Sequence, residues 1–102
     1  MTDPSLPALA AEIVIDLPES RALSADGTTA WSRGELQFAA LSPDGIEIRL
    51  DRDIAAAAMR TPDTAQSSRG PDWIRFSPGQ LDDHAVDRLR AWLELAYRRS
   101  GN

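Results

Sequence analysis

The stretch that decides the fold is Asp72-Trp73-Ile74-Arg75-Phe76-Ser77-Pro78-Gly79-Gln80, which leads into a long amphipathic segment ending near Arg99. Residues 72–76 form a short strand pattern, and residues 77–79 are turn formers. The segment that follows predicts one helix, because its apolar residues recur at helical spacing. The predicted inner face of that helix consists of Ala85, Leu89, Trp92, Leu93 and Ala96. A strand that runs into a long C-terminal helix predicts the α+β class.

Composition limits what the chain can be. Its 102 residues predict a single domain over residues 1–102, because two separate cores would each be too small for stability. Sixteen acidic residues against eleven arginines give a net charge of −5, which disfavours nucleic acid as a partner. The sequence contains no lysine, which excludes Schiff-base chemistry, and no cysteine, which excludes disulfides and thiolate sites.

The same composition bears on cofactors and location. The glycines at 34, 45 and 70 are isolated, so no phosphate-binding glycine loop is predicted, and no cofactor is expected. The N-terminus shows no signal-peptide pattern, and the longest apolar run is too short to span a bilayer. We therefore expect a cytoplasmic protein without a membrane partner.

Alternating side chains predict the remaining strands. Residues 46–50 alternate strictly between apolar and charged, which is typical of a strand with one buried face. Residues 28–31 and 35–41 predict two more strands, the second with Leu36, Phe38 and Ala40 on one face. With residues 72–76, this predicts a three- to four-stranded antiparallel sheet with helices packed on one face.

Two shorter helices are predicted before the long one. Residues 5–17 favour a helix with Ser5 as N-cap, although the β-branched residues 13–15 also suit a strand. Asp51 can cap a second helix over residues 52–60. Residues 18–30 and 61–71 are rich in turn formers and are predicted to be loops.

The order of these elements resembles a family of small bacterial proteins called the "luciferase domain" family, whose function is unknown. It is more distantly similar to the MmcQ/YjbR-like group. The matching residues are Gly34, Phe38, Ala39, Leu41, Asp44, Gly45, Trp73 and Tyr97. The resemblance covers most of the chain and implies the α+β fold. For the MmcQ/YjbR-like group it also implies nucleic-acid binding, whereas the family name does not imply light emission.

The segment from residue 60 to residue 75 is the candidate binding region. Arg60, Ser67, Ser68, Arg69 and the Gly70 backbone predict a loop that binds an anion. Arginine suits this role because its planar fork of donors matches phosphate and carboxylate groups.

The strand after this loop extends the candidate region. Trp73 and Arg75 should point to the sheet face opposite Ile74 and Phe76. In a suitable register Trp31 and Arg33 share that face and form an interaction surface with them. In the alternative interpretation the loop folds back over the face and Trp73 anchors it.

The only histidine, His84, follows Asp82 and Asp83 at the start of the long helix. A general base needs an orienting partner, which Asp83 or Asp87 would supply. The simpler interpretation is an exposed histidine beside carboxylates that complement the helix dipole. A metal site is disfavoured because neighbouring helical side chains diverge by about 100°.

Three functional hypotheses follow. The first is a non-enzymatic binding or protein-interaction module whose partner is a protein or an anionic small molecule, with self-association through the open sheet face or its edge. The second is nucleic-acid binding through Arg33, Arg60, Arg69 and Arg75. The third is an enzyme acting on an anionic small molecule, with His84 or an aspartate as base. No catalytic or metal-binding residue is assigned.

Overall fold

The computed structural model describes residues 5–25, 28–42 and 45–100. The predicted turns at residues 26–27 and 43–44 therefore lie outside the described residues. The described part of the chain is an α+β structure with three helices and six strands. Their order is α1 (Leu6–Ile15), β1 (Ser20–Ala25), β2 (Thr28–Arg33), β3 (Leu36–Ser42), β4 (Gly45–Arg49), α2 (Arg52–Ala58), β5 (Thr64–Gln66), β6 (Trp73–Phe76) and α3 (Asp83–Ser100).

The six strands form one antiparallel sheet in the order β1-β2-β3-β4-β6-β5. The antiparallel sheet is confirmed, but the prediction of three to four strands was too low. The two strands that were missed are those at the edges, which lie in segments predicted to be loops. β1 has no apolar alternation, and β5 has only three residues, so both strands depend on pairing with a neighbour rather than on local pattern.

All three helices pack on the same face of the sheet, and the core lies between them. The predicted inner face of α3 is confirmed, because each of its five residues is buried. Two edge-to-face aromatic contacts join α3 to the sheet, between Phe76 and Trp92 at 5.1 Å and between Phe38 and Tyr97 at 6.2 Å. None of the helices in the described ranges has the length and apolar character needed to cross a bilayer.

A bulge in β3 changes the face that its residues occupy. Trp31 pairs with Ala39 but the next β2 residue, Ser32, pairs with Gln37, so Phe38 is an extra residue in β3. Phe38 and Ala39 consequently both join the core, while Ala40 faces the other side of the sheet beside Glu47. The prediction that Leu36, Phe38 and Ala40 share one face was wrong, because a bulge interrupts strand alternation.

The two shorter helices are confirmed, with shorter limits than predicted. The Ser5 hydroxyl accepts a hydrogen bond from the Ala8 backbone N–H at 3.3 Å, as expected of an N-cap. The strand alternative for residues 13–15 is wrong, since they form the last turn of α1. Asp51 occupies the N-cap position of α2, but its carboxylate makes no capping hydrogen bond and instead binds Arg99 at 2.6 Å.

Candidate functional site

The outer face is the side of the sheet that the three helices leave uncovered in the described structure. One complete row of paired residues crosses it from β1 to β5. The row consists of Leu23, Ala30, Ala40, Glu47, Arg75 and Ala65. Trp73 lies on the same face beside this row, paired with Arg49. Trp73 and Arg75 therefore occupy the face predicted for them.

Five side chains, two of them Glu47 and Trp73, form a cluster on this face with Glu47 at its centre. The Ser67 hydroxyl donates to one oxygen of the Glu47 carboxylate, and Arg69 Nε donates to the other oxygen at 3.0 Å. Arg69 Nη1 also donates to Gln37 Oε1 at 3.0 Å. The Arg69 guanidinium lies 5.2 Å from the centre of the Trp73 ring, close enough for a cation–π contact. We call these five residues the Glu47 cluster.

Backbone hydrogen bonds also hold the loop that contributes Ser67 and Arg69. The Ser67 N–H donates to the Trp73 carbonyl at 3.2 Å, and the Trp73 N–H donates to the Gly70 carbonyl at 3.2 Å. Gly70 has φ of 151°, a conformation that residues with a side chain rarely adopt. The loop thus folds back over the outer face, as in the second interpretation of the sequence.

The predicted anion-binding residues are therefore not all in one place. Ser67 and Arg69 are brought together, but the Glu47 carboxylate already neutralises Arg69. Ser68 is exposed on the loop. Arg60 is exposed just beyond α2, which packs on the helix-covered face. Arg75 is half-buried on the outer face opposite Glu47.

Trp31 and Arg33 lie on the other side of the sheet, so the proposed surface of two tryptophans and several arginines does not form. Trp31 is buried in the core, and Arg33 stacks on the ring of Tyr97 at 4.1 Å. Arg33 also donates to the Tyr97 carbonyl at 3.1 Å. The arginines named for nucleic-acid binding are thus divided between the two faces.

The start of α3 gives no site of its own. His84 is exposed on the first turn, and the Asp82 carboxylate accepts a hydrogen bond from the Ala85 N–H at 2.9 Å. That contact is the N-terminal capping expected of an aspartate there. Across residues 5–25, 28–42 and 45–100, no group of three or more acidic or histidine side chains is arranged to hold a metal ion.

A groove at the C-terminal end of α3 was not predicted. It has a volume of about 560 Å³ and is lined by Leu36, Arg49, Asp51, Leu95, Arg98 and Arg99. We call it the α3-end groove. Its residues come from β3, β4, the start of α2 and α3, which are distant in sequence, so only the assembled fold brings them together.

An ion-pair network built on Asp72 borders this groove. The Asp72 carboxylate accepts a hydrogen bond from Arg49 Nε at 3.1 Å and lies 3.7 Å from Arg99 Nη2. Desolvation alone would raise the pKa of Asp72, but the hydrogen bond from Arg49 and the charges of Arg49 and Arg99 bring it below its usual value. Asp72 therefore remains ionised at neutral pH and holds both arginines.

A second, mostly apolar cleft lies between α1 and the edge strand β1. It has a volume of about 280 Å³ and is lined by Ala11, Val14, Ile15, Ser20, Ala22 and Trp31. We call it the β1 cleft. Ile15 at its rim is 81% exposed, and Leu23 of β1 is 66% exposed. These are the two most exposed large apolar side chains in the described residues.

No family model matches the chain, and neither a curated protein nor a solved structure matches it. The resemblance to the luciferase-domain and MmcQ/YjbR-like proteins stays a prediction. Function must therefore be argued from the geometry of this chain.

Proposed function

We propose that the protein is a non-enzymatic interaction module that pairs with a second copy of itself through the free edge of β1. The observation that carries this proposal is the placement of Ile15, Leu23 and the β1 cleft along one unpaired strand edge. Two copies joined in this way would form one continuous antiparallel sheet.

The two edges of the sheet differ in how well they are protected. β5 has only three residues, and short edge strands are a common protection against pairing with other chains. β1 has six residues and pairs within the described structure only with β2. Alternate N–H and C=O groups of β1 therefore point away from the sheet and can bond an added strand.

A protruding side chain and a cavity lie next to each other at this edge. Ile15 projects from the end of α1, and the β1 cleft opens beside it. The side chains of β1 on the helix-covered face are small, namely Ser20, Ala22 and Ser24, which leaves room above the strand.

A two-fold symmetric dimer requires a surface that complements itself. Antiparallel pairing of β1 with its copy would place the α1 helices on the same side of the joined sheet. The Ile15 side chain of each copy can then enter the β1 cleft of the other. Burial of Ile15 in both copies would remove two large apolar side chains from water, each contributing about 1.5–3 kcal/mol when fully buried. The two Leu23 side chains lie on the outer face and would be covered only in part, by contact across the joined strands.

The mass of the protein in solution tests this proposal. We expect sedimentation equilibrium to give twice the chain mass of 11.1 kDa at concentrations above the micromolar range, with dissociation on dilution. Ile15→Ser should weaken the dimer at least about tenfold, because two copies of the side chain are lost from the interface.

Leu95→Ser is the matched control. Like Ile15, Leu95 is an exposed branched aliphatic side chain, but it lies on α3 and not at the β1 edge. Its replacement should therefore leave dimerisation unchanged. A wild-type protein that remains monomeric at high concentration would refute self-pairing. Equal effects of the two substitutions would show that association does not use the β1 edge.

A further inference from the structure

The α3-end groove has the features of a ligand site that is independent of the β1 edge. We infer that it binds a small organic monocarboxylate that carries an aliphatic chain. Arg98 and its two neighbouring arginines would hold the carboxylate, and Leu36 and Leu95 would contact the chain.

The charges in the groove leave one cation uncompensated. Three arginines line it, and the ion pairs there involve two carboxylates, Asp51 and Asp72. Both carboxylates bind Arg99, and Asp72 also binds Arg49, whereas Arg98 is exposed and makes no ion pair with the described residues. One further negative charge would balance this group, on a chain that is acidic overall.

Two of the arginines are already held in position. Arg49 and Arg99 donate through Nε to Asp72 and Asp51, so ligand binding need not order them. The Nη atoms of Arg49 make no hydrogen bond within the described residues and can act as donors. Arginine favours carboxylate because two parallel N–H groups match its two oxygens.

The walls of the groove also expose apolar surface. Leu36 is 42% exposed and Leu95 is 36% exposed, and both line this groove. They are two of the four large apolar side chains exposed in the described residues. An inorganic anion would leave both leucines in water, whereas an aliphatic chain would cover them.

The end of α3 would ordinarily repel an anion, because a helix C-terminus carries partial negative charge. One of its last four carbonyls is occupied, which reduces this effect, since Arg33 donates to the Tyr97 carbonyl at 3.1 Å.

Titration of the full chain with hexanoate, followed by amide NMR shifts, tests the inference. We expect saturable shifts at Leu36, Leu95 and Arg98 with a Kd of about 1 mM. Acetate lacks the chain and hexan-1-ol lacks the charge, so each should bind at least about tenfold more weakly. Arg98→Gln should weaken hexanoate binding roughly tenfold and leave binding of the alcohol unchanged.

Arg90→Gln is the matched control, since Arg90 is exposed on the same helix but does not line the groove. The inference is overturned if hexanoate gives no saturable shift below roughly 30 mM. It is equally overturned if acetate binds as tightly, or if the shifts lie only around the β1 cleft. Each copy contains a whole groove, so this result is separate from the outcome of the dimerisation test.

Discussion

Replacement of Glu47 by alanine should loosen the outer face and lower the stability of the protein measurably. The Glu47 side chain is 12% exposed and accepts hydrogen bonds from Ser67 and Arg69. Ser67 is only 3% exposed, so its hydroxyl would lose a charged acceptor in a site with little access to water. Hydrogen bonds to charged groups contribute about 1.5–3 kcal/mol.

The ion pair between Glu47 and Arg69 contributes less to the free energy of unfolding than the hydrogen bond from Ser67. The Arg69 side chain is 36% exposed, and an ion pair with that access to solvent contributes about 0–1 kcal/mol. Together, the two contacts predict that Glu47→Ala lowers the free energy of unfolding by about 2–3 kcal/mol. For a domain of this size, that corresponds to a decrease in Tm of roughly 10–20 °C.

Urea unfolding followed by circular dichroism measures this change, and hydrogen exchange localises it. Amide exchange should accelerate from Ser67 to Trp73, because the loop loses its attachment to β4. In the Glu47→Ala background, Ser67→Ala should cost less than it does in the wild type, since the bond between the two residues is already absent and only the hydrogen bond from the Arg69 N–H to the Ser67 hydroxyl remains to be lost.

Glu35→Ala is the matched control for this experiment. Glu35 is exposed in the turn between β2 and β3, so its removal should change stability by less than about 0.5 kcal/mol. The interpretation of the Glu47 cluster is refuted if Glu47→Ala is as mild as Glu35→Ala, or if exchange of the loop amides does not change.

Two further predictions concern the core and the ion-pair network. Leu89→Asp should unfold the protein, because it places an unpaired charge at a fully buried position. Ala91→Asp, on the exposed side of α3, should leave the protein folded. Circular dichroism distinguishes the two outcomes. Asp72→Asn should cost about 1 kcal/mol near neutral pH in urea unfolding. Folding lowers the pKa of Asp72, so its contribution to stability is fully present above the usual value of 3.8 and is lost as the pH falls through the pKa of the folded state. The stabilities of wild type and Asp72→Asn should therefore converge in acid. A stability difference that is constant with pH would contradict this assignment.

Local periodicity is what made much of the fold predictable. The apolar spacing in α3 and the alternation in β4 each describe a single element, and a single element can be recognised from its own residues. Both were correct in the structure, and so was the position of Trp73 and Arg75 opposite Ile74 and Phe76. The edge strands lacked such a signal, because they present few apolar residues to the core.

The candidate sites depended on contacts between distant segments. Glu47 was identifiable as an outward-facing residue of β4, but its partners Gln37, Ser67 and Arg69 reach it only through the pairing of β3, β4 and β6 and the folding of the loop. The α3-end groove and the β1 cleft likewise combine residues from separate elements. The arginines and leucines that line the groove cannot be distinguished, in the sequence, from ordinary surface arginines and core leucines.

The sequence by itself determined the class of fold, the long C-terminal helix and the face that this helix buries. Only the tertiary structure decided that Trp31 and Arg33 lie opposite Trp73, because the direction of a side chain depends on the register between strands. Trp31 pairs with Ala39, Ala39 with Ile48 and Ile48 with the core residue Ile74, so Trp31 shares the face of Ile74 and not that of Trp73. A helix's buried stripe is set by residues three or four apart, whereas a shared sheet face is set by pairings between strands that are many residues apart.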